Sequence, residues 1–149
     1  MLDLANLRQY KENNRLEAKR AQGGLPHSIW ETYSAFANTF GGYILLGVIE
    51  NTDKSFSSVP LPDPERLVAD FWNGVNNRAV TNVNILSDQN VQIRESEGNR
   101  IVVIEVPRAD RHDKPVYIGT DPFAGTYRRN GEGDYRCTRE EVLAMLRDQ

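Results

Sequence analysis

Ser34-Ala35-Phe36-Ala37-Asn38-Thr39-Phe40-Gly41-Gly42 runs straight into Tyr43-Ile44-Leu45-Leu46-Gly47-Val48-Ile49-Glu50. The first stretch reads as the end of a helix. Pro26 opens that helix at a position where a missing N–H costs nothing. Ile29, Tyr33, Phe36, Ala37 and Phe40 then recur at helical spacing, and Trp30 widens the apolar stripe. The glycine pair stops it. Residues 43–49 are almost continuously apolar, which predicts a central strand covered on both faces.

Working outward, residues 15–20 alternate Leu16 and Ala18 with Glu17 and Lys19, the period of a half-buried strand. Residues 2–10, with Leu4 and Leu7, form a short amphipathic helix. Residues 51–61 read as a loop. Asp63-Pro64 is an N-cap and first-turn pair for a second helix carrying Leu67, Val68, Phe71, Trp72 and Val75. Strands are expected over 80–86, 91–95 and 100–106, with a turn at 97–99. Short strands at 115–118 and 126–129 follow, then a tight turn at 130–134. Thr138-Arg139-Glu140-Glu141 is a capping-box pattern ahead of a last helix through Val142, Leu143 and Leu146. The order β-α-β-α-β-β-β-β-α predicts one α/β (α+β) domain over residues 1–149, a mixed sheet packed with three to four helices.

Composition narrows the function classes. Apolar residues at 39% and charged residues at 26% describe a soluble globular chain with enough material for a core. No apolar run approaches the ~18 residues of a membrane span. No signal peptide is read at the N-terminus. A single cysteine, Cys137, excludes an internal disulfide and fits a reducing, cytoplasmic setting. With only His27 and His112 beside it, structural zinc is not expected. The net charge of -3 argues against a polyanionic partner, but its distribution softens that. Residues 1–40 carry five Lys/Arg against four Asp/Glu, and residues 106–139 carry seven against five. The acidity lies in residues 50–105, with five against nine. A local basic patch can therefore still attract phosphate.

The chemistry gathers at the ends of these elements. Glu17 and Lys19 share a face of their strand. Glu12, at the turn before it, can fold back over the sheet edge. Glu50 ends the central strand, where open α/β sheets tend to place ligands. Each glutamate alone is equally a surface residue, and Glu-x-Lys alone is a solvated ion pair. Together they predict three carboxylates and an amine converging on one sheet edge. Hard oxygen donors without His or Cys suit Mg²⁺ or Mn²⁺. Phosphodiester cleavage needs such a cation, together with positive charge where negative charge accumulates.

Glu12-x4-Glu17-x-Lys19, followed by Ser34-Ala35-Phe36-Ala37-Asn38-Thr39-x-Gly41-Gly42-Tyr43-Ile44-Leu45-Leu46-Gly47-Val48, resembles the Schlafen AlbA-type domain, a family also labelled as DNA-binding or "divergent AAA". The resemblance continues more loosely through 101–106, 114–117 and 126–129. It implies a mixed α/β fold that binds nucleic acid. In the animal Schlafen members this core is a divalent-metal endoribonuclease acting on transfer and ribosomal RNA. Their acidic trio maps onto Glu12, Glu17 and Glu50, and their lysine onto Lys19. The third acid is commonly aspartate there; here Glu50 is one methylene longer, with Asp53 a less well placed substitute. The animal core has two lobes and a zinc site. This chain has one lobe, which implies pairing with a second copy, a homodimer. Relatives of bacterial type continue into a further region, so the domain is expected to be the N-terminal part of a longer protein.

Outside the acidic cluster, Arg128 and Arg129 beside Tyr127 are the first candidates for phosphate contact, followed by Arg108, Arg111 and Lys114. Only one of Arg128 and Arg129 can face a given side of a strand. Asn38 and Thr39 are read as structural, satisfying helix-end carbonyls. Trp30, Phe36, Phe71 and Trp72 are read as core. Gly41-Gly42 precedes a strand and has no P-loop lysine, so ATP is not expected. These residues support a metal-dependent endoribonuclease acting on structured RNA such as tRNA. The alternatives are a non-catalytic DNA-binding module of a regulator and a protein-interaction domain that dimerises through its sheet edge.

Overall fold

The structure, a computed structural model, describes residues 2–149. Along the chain run β1 (Leu16–Lys19), α1 (Ile29–Asn38), β2 (Gly42–Leu46), β3 (Val48–Glu50), β4 (Phe56–Ser58), α2 (Pro64–Val75), β5 (Val91–Ser96), β6 (Asn99–Val106), α3 (Pro122–Gly125), β7 (Tyr127–Asn130), β8 (Gly133–Arg136) and α4 (Arg139–Arg147). A four-stranded sheet has the order β1-β2-β6-β5. β1 runs parallel to β2, and the other pairs are antiparallel. The expected mixed sheet with helices against it is present.

Each face of the sheet has its own core. Ile44, Leu46, Val102, Ile104 and Val106 pack against Ile29, Trp30, Tyr33 and Phe36 of α1 and Leu67, Phe71 and Val75 of α2. Trp30 stacks on Phe71 with ring centroids 5.3 Å apart. Its ring lies where a Cβ at position 74 would sit, so α2 can dock there only at Gly74. On the opposite face, Leu45, Val48 and Ile101 pack with Leu7, Leu16 and Phe56. Fully burying a side chain of this size contributes about 1.5–3 kcal/mol, so the two layers hold β2 and β6 firmly between them. Phe40, counted in the stripe of α1, lies beyond the helix end and is exposed.

The helix caps follow the sequence. Asp63 Oδ1 accepts from the Arg66 N–H at 3.0 Å, and Pro64 opens α2. Thr138 and Glu141 exchange backbone hydrogen bonds at the start of α4, at 2.7 and 3.2 Å.

Several expectations are corrected. The apolar run 43–49 is not one strand. Gly47 has φ +89, and a Cβ there would come 2.8 Å from the Leu61 side chain. The chain turns at that residue, and β3 leaves the main sheet to pair with β4. Residues 51–61, read as a loop, thus contain a strand. Residues 80–86 form no strand. Their apolar side chains do face the core, but their backbone bonds are scattered in place of a ladder, with Val80 and Thr81 N–H donating to Asn77 O, Asn82 N–H to Tyr117 O, and Gly119 N–H to Val80 O. Tyr33 Oη donates to Val83 O at 2.8 Å and accepts from Ile85 N at 3.2 Å. Asn82 binds Tyr117 N and Pro115 O. Residues 115–118 likewise contribute only isolated bridges, to Thr81 and Thr126. The N-terminal helix is a 3₁₀ segment, Leu4–Gln9. Beyond the turn at 130–134 the chain returns as β8, so β7 belongs to a hairpin.

Candidate active site at the β1 edge

β1 is an outer strand, and its register decides where its side chains point. Glu17 pairs with Ile44 and Lys19 with Leu46, both of which face α1. Glu17 and Lys19 therefore project from the sheet edge on the α1 side. Asn13 makes an antiparallel bridge to Leu16, so the chain before β1 folds back along that edge. Glu12 Oε2 there accepts the edge N–H of Ala18 at 3.1 Å. The foldback expected of Glu12 is the one observed.

Glu12 and Glu17 meet. Burial, then the hydrogen bond and the charge of Glu17, push the Glu12 carboxyl up to about 8. The Ala18 N–H works against this, and the charge of Glu50 adds to it. At neutral pH the Glu12 carboxyl therefore favours its protonated form.

Glu17 is held from beneath by Arg129. The guanidinium of Arg129 is wholly enclosed and donates to Glu17 Oε1 at 2.8 Å and to Asp134 Oδ1 at 2.7 Å. It also donates to Asn13 O at 2.9 Å and Leu16 O at 3.3 Å, and its carbon lies 4.9 Å from the centre of the Phe36 ring. Burial opposes the charge of Arg129. The hydrogen bonds and charges of Asp134 and Glu17 outweigh it, and the guanidinium pKa rises. Asp134 in turn accepts from Thr32 Oγ1 at 2.6 Å. The expectation that Arg129 touches phosphate is corrected: no surface of its side chain is open, and its donors are committed to the protein.

Lys19 Nζ lies 3.9 Å from Glu17 Oε2 and donates to Ser28 Oγ at 3.1 Å. Ser28 caps α1 without bonding any of its N–H groups through the side chain. The lysine amine thus stands at the positive end of α1. Glu50 is reached less directly. It sits at the end of β3, past the turn at Gly47, with Oε1 3.5 Å from Lys54 Nζ. It adds charge to the corner from outside it. Asp53 is occupied in its own turn, accepting from Ser55 N and Oγ. Among the described residues, no three His, Cys, Asp or Glu side chains stand close enough together to enclose a metal ion. The corner offers two adjoining carboxylates, one with a strongly raised pKa, and a third carboxylate in electrostatic range. Once Glu12 gives up its proton, this all-oxygen pair suits a hard divalent cation that keeps most of its waters.

The motif at the end of α1 builds this corner. Ser34 Oγ donates to Val116 O at 2.6 Å and accepts Tyr127 N at 3.0 Å. Asn38 Nδ2 donates to Val116 O and Tyr127 O, and its Oδ1 accepts Val116 N. Thr39 Oγ1 accepts Arg129 N at 2.9 Å. Asn38 and Thr39 are structural, as read, but they hold the β7–β8 hairpin to α1 instead of closing the helix end. They bring Arg129 under Glu17 by this route. Gly41 and Gly42 are closely packed on backbone: a Cβ would come 2.7 Å from Val106 O and from Arg15 O respectively.

The remaining basic candidates lie elsewhere. Arg128, on the other side of β7, is half-exposed, with Nε 3.2 Å from Glu141 Oε2 and its guanidinium over Tyr135. Arg108, Arg111 and Lys114 line a separate cavity with Arg147. The sequence reading missed Asp134, Thr32 and Arg147. The hairpin register pairs Arg129 directly with Asp134, a signal available once 127–136 is read as two strands.

Residues 8–138 match the family described as Schlafen, AlbA_2. The chain belongs to this family. Among solved structures, the chain is similar to the N-terminal domain of a RecG-related protein from Nitrosomonas europaea, at 34% identity and a TM-score of 0.66. That match covers 93% of this chain and 95% of the other. The DIP2311 protein of Corynebacterium diphtheriae shares the fold at 16% identity and a TM-score of 0.54. There the match covers 89% of this AlbA_2 chain but 23% of the other. No curated protein matches the chain. Among the described residues, no helix is long and apolar enough to cross a membrane.

Proposed function

We propose that this AlbA_2 domain binds structured nucleic acid, RNA in preference to DNA, and cleaves it at the Glu12–Glu17 corner with Mn²⁺ or Mg²⁺. The observation that carries the reading is the half-buried corner in which Glu12, accepting the Ala18 N–H at 3.1 Å, stands beside Glu17 with the Lys19 amine 3.9 Å from Glu17; burial first, and then Glu17, push the Glu12 carboxyl up to about 8. Glu12, Glu17 and, from the outer side, Glu50 would hold the cation. When bound, it supplies Lewis-acid stabilisation of charge on the scissile phosphate. Arg129 fixes Glu17 in one orientation through its 2.8 Å bond. Glu12 would join the cation's ligands only on losing its proton, so cation uptake at the corner would strengthen as pH rises toward 8. Lys19, held by Ser28, presents its amine to a phosphoryl oxygen where negative charge grows. Arg128 and the cations of the separate cavity hold the backbone. A homodimer would give the single lobe a second wall for a helical substrate.

A second reading is a DNA-binding module without catalysis. It is favoured by the RecG-related neighbour, whose name describes an ATP-dependent DNA helicase relative, and by the engagement of Glu17 with Arg129. Incubation with tRNA and with duplex DNA, with Mn²⁺ or with chelator, separates the two. Metal-dependent RNA cleavage is expected. Retardation of DNA without cleavage of either substrate supports the second reading.

A further inference from the structure

Arg108, Arg111, Lys114 and Arg147 surround a cavity of about 570 Å³, with Asp148 as the one carboxylate in its wall. Two elements form it. Residues 108–114 leave β6 and are pinned to the last turn of α1, where Ala109 N donates to Ala37 O at 2.8 Å. The end of α4 closes the other side, tied by Gln149 Nε2 to Lys114 O at 2.7 Å. Among the described residues, none of the four cations makes an ion pair. Lys114 is part-buried, and its pKa is lowered by that burial and by the charge of Arg108. Folding therefore gathers four cations around one opening, and the acids of the same segments, Asp110, Asp113 and Asp148, form no ion pair with them among the described residues, which favours an incoming anion.

We infer that this basin is where the domain grips a nucleic-acid backbone, on side chains separate from the glutamate corner. The inference rests on the nucleic-acid reading above and locates its binding energy. The basin is anchored to α1 at Ala37 and shares no lining residue with the corner. Affinity and chemistry reside on different side chains.

The test is fluorescence anisotropy with a labelled RNA hairpin and a DNA duplex in chelator, over a salt series. The chains compared are the unchanged domain, Arg111→Glu, Arg147→Glu and Arg94→Glu. Arg94 is an exposed arginine on β5, away from both sites. Thermal unfolding checks that each variant is folded. The basin variants are expected to bind at least 10-fold more weakly and to lose about 0.7–0.9 from the salt slope per phosphate contact removed. Arg94→Glu is expected to change affinity less than 3-fold. Equal losses for Arg94→Glu and the basin variants would overturn the basin while leaving nucleic-acid binding standing. No binding by the unchanged domain at low salt would overturn both.

Discussion

Two regions packed against α1 gather like charges, and they treat them differently. At the β1 edge, Glu12, Glu17 and Asp134 crowd together, but a buried arginine sits among them with a hydrogen bond for each of two carboxylates. In the basin, four cations crowd with no partner of their own. The corner is a finished piece of the fold with one unsettled member, Glu12. The basin is unfinished until something negative arrives. Charge compensated within the fold holds its side chains in one orientation, whereas charge without an ion-pair partner favours an incoming ligand of opposite sign.

The sharpest way to break this contrast is to delete a cation in each region. Arg129→Ala removes the partner of Glu17 and Asp134 and strands the carbonyls of Asn13 and Leu16. It is expected to cost about 3–5 kcal/mol of stability in urea unfolding. A loss under 1 kcal/mol would mean the arginine is dispensable.

Acidity probes the unsettled member. Glu12 has a folded pKa of about 8 against an ordinary value of 4.5. Between those values the folded chain binds a proton that the unfolded chain has released, so stability falls as pH rises from about 4.5 to 8. Glu12→Gln keeps an acceptor for Ala18 N–H and a donor toward Glu17, and it should flatten that fall. Mn²⁺ should restore stability to the unchanged domain at pH 8 and do less for the variant. Parallel pH curves, with no difference in the Mn²⁺ response, would contradict the protonated Glu12 corner.

The smallest effect has the opposite sign. Lys114→Gln relieves repulsion from Arg108 and should stabilise the domain by roughly 0.2–0.5 kcal/mol at low salt, vanishing at high salt. The same change should weaken nucleic-acid binding. Loss of stability instead would show that the basin is compensated within the fold.

What was legible in the sequence was local. Alternation placed β1 and β6, and the side-chain pattern of Asp63 and Thr138 placed the starts of α2 and α4, because each signal is complete within a few residues. The foldback of Glu12 beside Glu17 was legible for the same reason. The separate ribbon that carries Glu50 was not legible because a single glycine, packed against Leu61, turns the chain before it. Residues 80–86 have strand composition, but Tyr33 and Asn82 supply side-chain partners in place of a ladder, and neither signals this locally. The alternation rule required Arg128 and Arg129 to part. Which one goes inward depends on Thr32, Asp134 and Glu17, which meet only when α1, the hairpin and β1 are assembled.

The most direct measurement is the rate of tRNA cleavage by the unchanged domain, Glu12→Gln and Glu17→Gln, each shown to be folded, in Mn²⁺ and in chelator. Glutamine at 17 keeps an acceptor for Arg129, so folding is preserved while the carboxylate charge is lost. Cleavage in Mn²⁺ that stops in chelator and falls at least 100-fold in both variants is the predicted result. Cleavage that persists in chelator or in both variants, or no cleavage by the unchanged domain in Mn²⁺, would contradict the paired-glutamate site.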